Sequence, residues 1–169
     1  MITLRNARED DSEMLTEIGL RSWESALSKI AETASMLSNA RNAFRAFTQS
    51  AWLTITVVEY AGTPVGWAAR EHLDEAISDF WIDPAYKRQG FGRALLKSVE
   101  DEMIHQGLDK ATVQTHARNN EAVAFFESQG YAIHWLTVAY SPKIDRDVES
   151  VGLSKQFFPE MPEPYGPNI

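Results

Sequence analysis

The sequence predicts an α/β domain with a sheet at its centre, and three observations predict it. From residue 77 to residue 138 the pattern runs strand, glycine loop, helix, strand, helix, strand. Upstream, alternating apolar and β-branched residues flank a Gly-Thr-Pro turn, as in a hairpin. A length of 169 residues, with 44% hydrophobic and 24% charged side chains, is that of one compact globular domain with a substantial core.

Each element follows from its local pattern. Ile2 to Arg5 is a short apolar-alternating strand, and Asp10 or Asp11 caps a helix that sets Met14, Leu15 and Ile18 on one face. The stretch from Arg21 to Thr33, which contains Trp23, has no regular period. Leu37, Ala40, Phe44 and Phe47 return at helical spacing. Leu53, Ile55 and Val57 alternate with threonines, and Ala61-Gly62-Thr63-Pro64 turns the chain into a second strand, Val65 to Ala69. Ile77 to Ile82 is an apolar strand closed by Asp83-Pro84, since proline gives no N–H to a ladder. Leu95, Leu96, Val99 and Met103 form the apolar stripe of a helix that ends at Gly107. Ala111 to Thr115 is a strand, Asn119-Asn120-Glu121 caps a helix over Ala122 to Gln129, and Gly130 stops it before the strand Tyr131 to Val138.

Composition excludes several functions. Sixteen Lys plus Arg against 24 Asp plus Glu give a net charge of −8, a field that repels nucleic acid and anionic membrane and favours a neutral or cationic partner. With no cysteine there is no disulfide framework, thiolate metal site or cysteine nucleophile. No segment approaches the roughly 20 apolar residues of a membrane helix, and Met1 to Arg5 has no signal core, so a cytoplasmic location is expected. His72, His105, His116 and His134 lack metal-ligand spacing, so no metal is expected.

The chemistry begins after the strand at Ile82, with Tyr86-Lys87-Arg88-Gln89-Gly90-Phe91-Gly92-Arg93 leading into a helix. Two glycines let backbone N–H groups converge at a helix N-terminus, which carries about half a positive charge. Such a nest suits a pyrophosphate, with Lys87, Arg88 and Arg93 offsetting the overall field locally. Taken alone, the same residues describe a tight turn bearing solvated cations. Leu95 stands where a dinucleotide motif needs its third glycine, and no Gly-Lys-Ser/Thr follows, so neither common nucleotide loop is present.

Residues 77 to 131 resemble the core of the GCN5-related N-acetyltransferase (GNAT) family. The glycine loop matches its Q/R-x-x-G-x-G/A signature, and Asn119, Gly130 and Tyr131 match its second, an Asn-led helix closed by glycine and an aromatic residue. The resemblance implies an acyl-CoA N-acyltransferase fold: a central mixed, mostly antiparallel sheet flanked by helices. It also implies acetyl-CoA as co-substrate and an amine acceptor, whether a small amine, an amino-acid-like compound or a peptide or protein amine. By the same resemblance, Phe80, Trp81 and Ile82 offer main-chain groups to the pantetheine arm and acetyl carbonyl. Arg88, Gln89, Gly90, Phe91, Gly92 and Arg93 wrap the pyrophosphate, and Asn119 and Phe126 meet the cofactor from the second helix. Lys87 holds the position where the family prefers Gln or Arg, and Phe126 the position where it often has a tyrosine that protonates the departing thiolate. A member lacking that tyrosine is either an enzyme without side-chain acid help or a non-catalytic acyl-CoA-binding module.

Direct attack by a neutral amine needs a base near the acceptor, and Glu75 and Asp79 are the leading candidates, with Glu71, His72 and His116 behind them. The domain is expected to span residues 1–156, followed by a tail over 157–169 in which Pro159, Pro162, Pro164 and Pro167 preclude regular structure. Relatives in the family imply a homodimer as the expected assembly.

Overall fold

The computed structural model describes residues 1–27, 34–141 and 145–158, apart from the side chain of residue 139. Eight strands and four helices run β1 Ile2–Asn6, α1 Ser12–Leu27, α2 Ala34–Ser50, β2 Ile55–Tyr60, β3 Thr63–Ala69, β4 Ala76–Ile77, β5 Asp79–Ile82, α3 Phe91–His105, β6 Lys110–His116, α4 Asn120–Ser128, β7 Ala132–Ser141 and β8 Arg146–Gln156.

The strands form two four-stranded sheets, β1-β2-β3-β5 and β4-β6-β8-β7. All pairings are antiparallel except β4 with β6. The mixed, mostly antiparallel pairing that the family resemblance implies is therefore present, but the single strand read at Ile77 to Ile82 is two. Ser78 divides it: its N–H donates to the Ala69 carbonyl at 2.9 Å although Asp79 already stands opposite Ala69. Two residues facing one make a bulge. Before Ser78 the chain pairs with β6, and after it with β3, so the two sheets part at this point.

Alternation of side chains, reset where β3 slips register and leaves Val65 as an extra residue between Pro64 and Gly66, then builds a core on each face. Val58, Val65 and Ala68 point to the face covered by α3 and α4, where Leu95, Leu96, Val99, Met103 and Phe126 close over them. Val57, Trp67 and Ala69 point to the opposite face, under Leu15, Ile18, Trp23, Ala40 and Phe44 of α1 and α2. Helix α1 continues through Arg21–Leu27, part of the stretch without visible period; residues 28–33 lie outside the described structure. Met14 is 49% exposed rather than buried, because the stripe that meets the sheet runs Leu15, Ile18, Trp23 and leaves Met14 at its solvent edge. At Gly19 the two helices come so close that an added Cβ would stand 2.7 Å from the Phe44 ring.

Strand β8 has no counterpart in the sequence reading. It lies between β6 and β7, burying Val151 and Leu153, and pairs with both neighbours, the ladder to β7 slipping by one residue at His134. The tail expected over 157–169 lies outside the described residues from 159 onward.

Phe44 connects this packing to the site. Its ring meets Trp67 of β3 edge-on at 6.2 Å and Trp81 of β5 at 5.1 Å. Phe44→Ala is expected to destabilise the protein by about 3–5 kcal/mol, the usual cost of emptying a buried aromatic site, measured as a lower urea midpoint with unchanged slope.

Candidate active site

The loop after β5 is held from below. Asp83, 7% exposed, accepts the Ala85 N–H at 3.1 Å and receives Arg21 Nη2 of α1 at 2.7 Å. Arg88 takes φ 59° and Gly90 φ 86°, both left-handed, a region that few residues other than glycine enter. A Cβ on Gly90 would meet nothing within 4 Å, so it is the backbone angle, not crowding, that calls for glycine there. Gly92 differs: an added Cβ would stand 3.3 Å from the Phe125 ring, so it sets the approach of α3 to α4. The first bond of α3 runs from the Ala94 N–H to the Gly90 carbonyl at 3.1 Å. The N–H groups of Phe91, Gly92 and Arg93 therefore have no acceptor within the helix and present the positive end of its dipole.

Facing these groups is a cleft of about 910 Å³ between β5 and α4, bordered by Ser22 and Ala26 of α1. Of the residues read from the sequence, Phe80, Trp81, Ile82, Lys87, Arg88, Gly90, Gly92, Arg93, Asn119 and Phe126 all line it. Gln89 and Phe91 do not. Gln89 is exposed, and the Phe91 ring is buried beside Tyr60 and Tyr86 at 5.6 and 6.0 Å, leaving only its main chain toward the loop. Asn119 caps α4 by accepting the Ala122 N–H at 3.1 Å. Lys87 reaches across the cleft, 3.3 Å from Glu121 and 3.4 Å from Ser25 Oγ. The contributions of Ser22, Ala26, Glu121 and Phe125 went unread, because periodicity shows which face a helix buries but not what that face meets.

Strand β5 supplies the inner wall. The Asp83 N–H donates to Val65 at 2.8 Å, and Trp81 stands opposite Trp67, so by alternation Trp81 turns its main-chain groups to β3. Phe80 and Ile82 turn theirs to the other edge, where the parting of the sheets leaves β5 without a strand partner. The expectation for Trp81 is corrected accordingly: its main chain belongs to the sheet.

Beyond Phe80 and Phe126 the cleft meets a second cavity of about 290 Å³, which shares Ala26, Phe80, Trp81, Asn119, Ala122 and Phe126 with the first. Asp79 and His116 line this second cavity. Glu75 does not. It sits before β4, 3.8 Å from Lys110, with its carbonyl taken by the Thr112 N–H. Glu71 and His72 are exposed and border neither cavity. Asp79 accepts the Trp81 indole N–H at 3.1 Å. His116 Nδ1 accepts the Arg118 N–H at 3.1 Å, which assigns the hydrogen of the neutral ring to Nε2. Burial holds the His116 pKa below its ordinary value, and Arg118 adds to this against the opposing pull of Glu149. At neutral pH His116 is therefore a donor, and among the described residues that line the second cavity Asp79 brings the carboxyl group. Among the described residues no cluster of three His, Asp or Glu is placed to hold a metal ion, and no helix is long and apolar enough to cross a membrane.

A helix N-terminus beside three cationic side chains, an open strand edge and an adjoining second cavity belong together in an α/β domain with a ligand-sized cleft. Comparison with known proteins makes this specific: the description Acetyltransferase (GNAT) family matches residues 14–131, and the chain belongs to that family. A [ribosomal protein bS18]-alanine N-acetyltransferase of Escherichia coli K12 is 38% identical over 74 residues, 43% of this chain and 50% of its own. The protein of the same name from Salmonella typhimurium is 37% identical over 60 residues, 35% and 40% of the two chains. This chain thus spans about half the length, or less, of the curated relatives it matches. Among solved structures, a GCN5-related N-acetyltransferase from Rhodopseudomonas palustris superposes with a TM-score of 0.76 at 19% identity, covering 91% of this chain and 94% of that one. The PaiA N-acetyltransferase of Thermoplasma acidophilum, in complex with coenzyme A, gives 0.73 at 19% identity over 92% and 99%. At such identities the likeness is one of fold.

Two outcomes follow from this geometry. Nuclear magnetic resonance titration should find His116 protonating below the ordinary histidine range, with Arg118→Ala moving the midpoint up. Asn119→Ala should cost about 1 kcal/mol in a thermal melt, the usual worth of a helix cap.

Proposed function

We propose that this protein transfers the acetyl group of acetyl-CoA to a primary amine by direct attack, in the cytoplasm. The observation that carries this reading is the adjacency of the two cavities at the open edge of β5, where they share six lining residues. The first cavity suits the co-substrate in size and chemistry: the N–H groups of Phe91, Gly92 and Arg93, with Arg88, Arg93 and Lys87 beside them, meet a pyrophosphate. The Phe80 and Ile82 main chain meets the pantetheine arm. An N–H on that edge stabilises the charge that develops on the acetyl oxygen.

The amine enters from the second cavity. Its nitrogen bonds to the acetyl carbon, the carbon–sulfur bond breaks, and the amine proton passes to Asp79 through water. With no cysteine in the chain, no cysteine-bound acetyl step competes. Phe126 has no proton to give, so the thiolate takes its proton from water. The acceptor is a small amine, an amino-acid-like compound or a peptide or protein amine; the curated relatives are named for an alanine of a ribosomal protein, which supports an amine. The homodimer implied by the family belongs to the same reading.

Release of coenzyme A thiol from acetyl-CoA in the presence of an amine panel tests the proposal, and a chain without cysteine adds no thiol background. Gly90→Val, strained at φ 86° and projecting into the nest, should lower coenzyme A affinity at least about tenfold in calorimetry without changing the circular dichroism spectrum. Phe126→Tyr should raise kcat by up to about 10²-fold with little change in KM, as general acid help returns. The second reading, an acyl-CoA-binding module without turnover, rests on Phe126. Tight coenzyme A binding with no thiol release, from the native chain or from Phe126→Tyr, would select it.

A further inference from the structure

The first cavity contains its own counter-ion. Where Lys87, Arg88 and Arg93 gather beside the N-terminal N–H groups of α3, Glu121 of α4 also lines the wall, and among the described lining residues it is the acidic one. Its carboxylate stands 3.3 Å from Lys87 Nζ, which is also 3.4 Å from Ser25 Oγ of α1. The contact spans the cleft, since Lys87 belongs to the loop after β5 and Glu121 to the first turn of the helix opposite. Local structure fixes that turn: Asn119 accepts the Ala122 N–H, and the helix dipole favours a carboxylate there. The pair itself is loosely held. The Lys87 and Glu121 side chains are 32% and 57% exposed, and an ion pair so open to water is weak.

A diphosphate entering this cavity asks for the same ammonium. A phosphate brought to Lys87 also comes close to Glu121, and two anions at short range repel. We infer that Glu121 competes with the phosphate groups of the cofactor for Lys87, and so holds down the affinity for coenzyme A and acetyl-CoA alike. Removing the carboxylate acts twice in one direction: it takes away a partner that stabilises the empty site and a repulsion that penalises the filled one. Both compounds carry the same diphosphate, so both feel the competition equally. When coenzyme A leaves, Glu121 takes Lys87 back. The inference rests on the reading of this cavity as the coenzyme A site, but not on turnover.

Calorimetric titration of coenzyme A and of acetyl-CoA into the full chain tests this. Glu121→Gln, which keeps the shape of the side chain, should tighten both by about threefold to fivefold. The same change in a Lys87→Met background should move either affinity by less than about 1.5-fold, since the competition has lost its object. The melting temperature of the unliganded protein should not rise with Glu121→Gln, because α4 loses a favourable charge in its first turn. Tighter binding is then no by-product of a more stable fold. Unchanged or weaker coenzyme A binding by Glu121→Gln overturns the inference, as does a gain of full size in Lys87→Met, a gain for coenzyme A without one for acetyl-CoA, or a melting temperature raised along with the affinity. A native protein that binds neither compound overturns this inference together with the cofactor reading, whereas native binding that Glu121→Gln leaves unmoved removes the inference alone.

Discussion

The whole arrangement depends on one hydrogen bond out of step. By donating to the Ala69 carbonyl, Ser78 inserts an extra residue opposite a single partner and passes the strand from one sheet to the other. The Ser78 hydroxyl reinforces the exchange, donating to the same carbonyl at 3.1 Å and accepting the Glu71 N–H at 3.0 Å. A continuous strand would spend the main-chain groups of Phe80 and Ile82 on a neighbouring strand. The bulge leaves them facing a cleft, with the second cavity alongside.

Around that opening the protein manages charge at short range. The chain is acidic, yet it gathers Lys87, Arg88 and Arg93 with three unbonded helix N–H groups at one end of the cleft. Two links from α1 brace this cationic corner: Arg21 to Asp83 beneath the loop, and Ser25 to Lys87 across the mouth. On the far side of β5 the second cavity is lined instead by Asp79, His116 and aromatic side chains.

The parts legible in the sequence are those fixed by neighbours along the chain. Asn119 as a cap, Gly90 as a left-handed residue and the stripe of α3 each follow from a few adjacent residues, and ten of the twelve cofactor-site residues read there line the cleft. What escaped is set by partners far away in sequence. The break at Ser78 exists because Ala69 and β6 compete for one strand. Strand β8 mixes Glu149, Ser150, Gly152 and Ser154 with its apolar residues, and its inward face makes sense only between β6 and β7. Helix α1 past Arg21 lost its period because that portion faces both the core at Trp23 and the cleft at Ser22 and Ala26. Glu75 was drawn in by its closeness to β5 along the chain, but it sits beyond the bulge, beside Lys110.

The order β4-β6-β8-β7 has a bearing on biosynthesis. The penultimate strand touches the rest of its sheet only through the last one, so a nascent polypeptide emerging from the ribosome has nowhere to dock β7 until residues 146–156 follow it out. The described lining of the first cavity, by contrast, comes entirely from residues 22–128, which emerge before that. The second cavity also takes part of its wall from Tyr140, Ser141, Val148 and Ser150, so it cannot close until β8 has inserted between its neighbours.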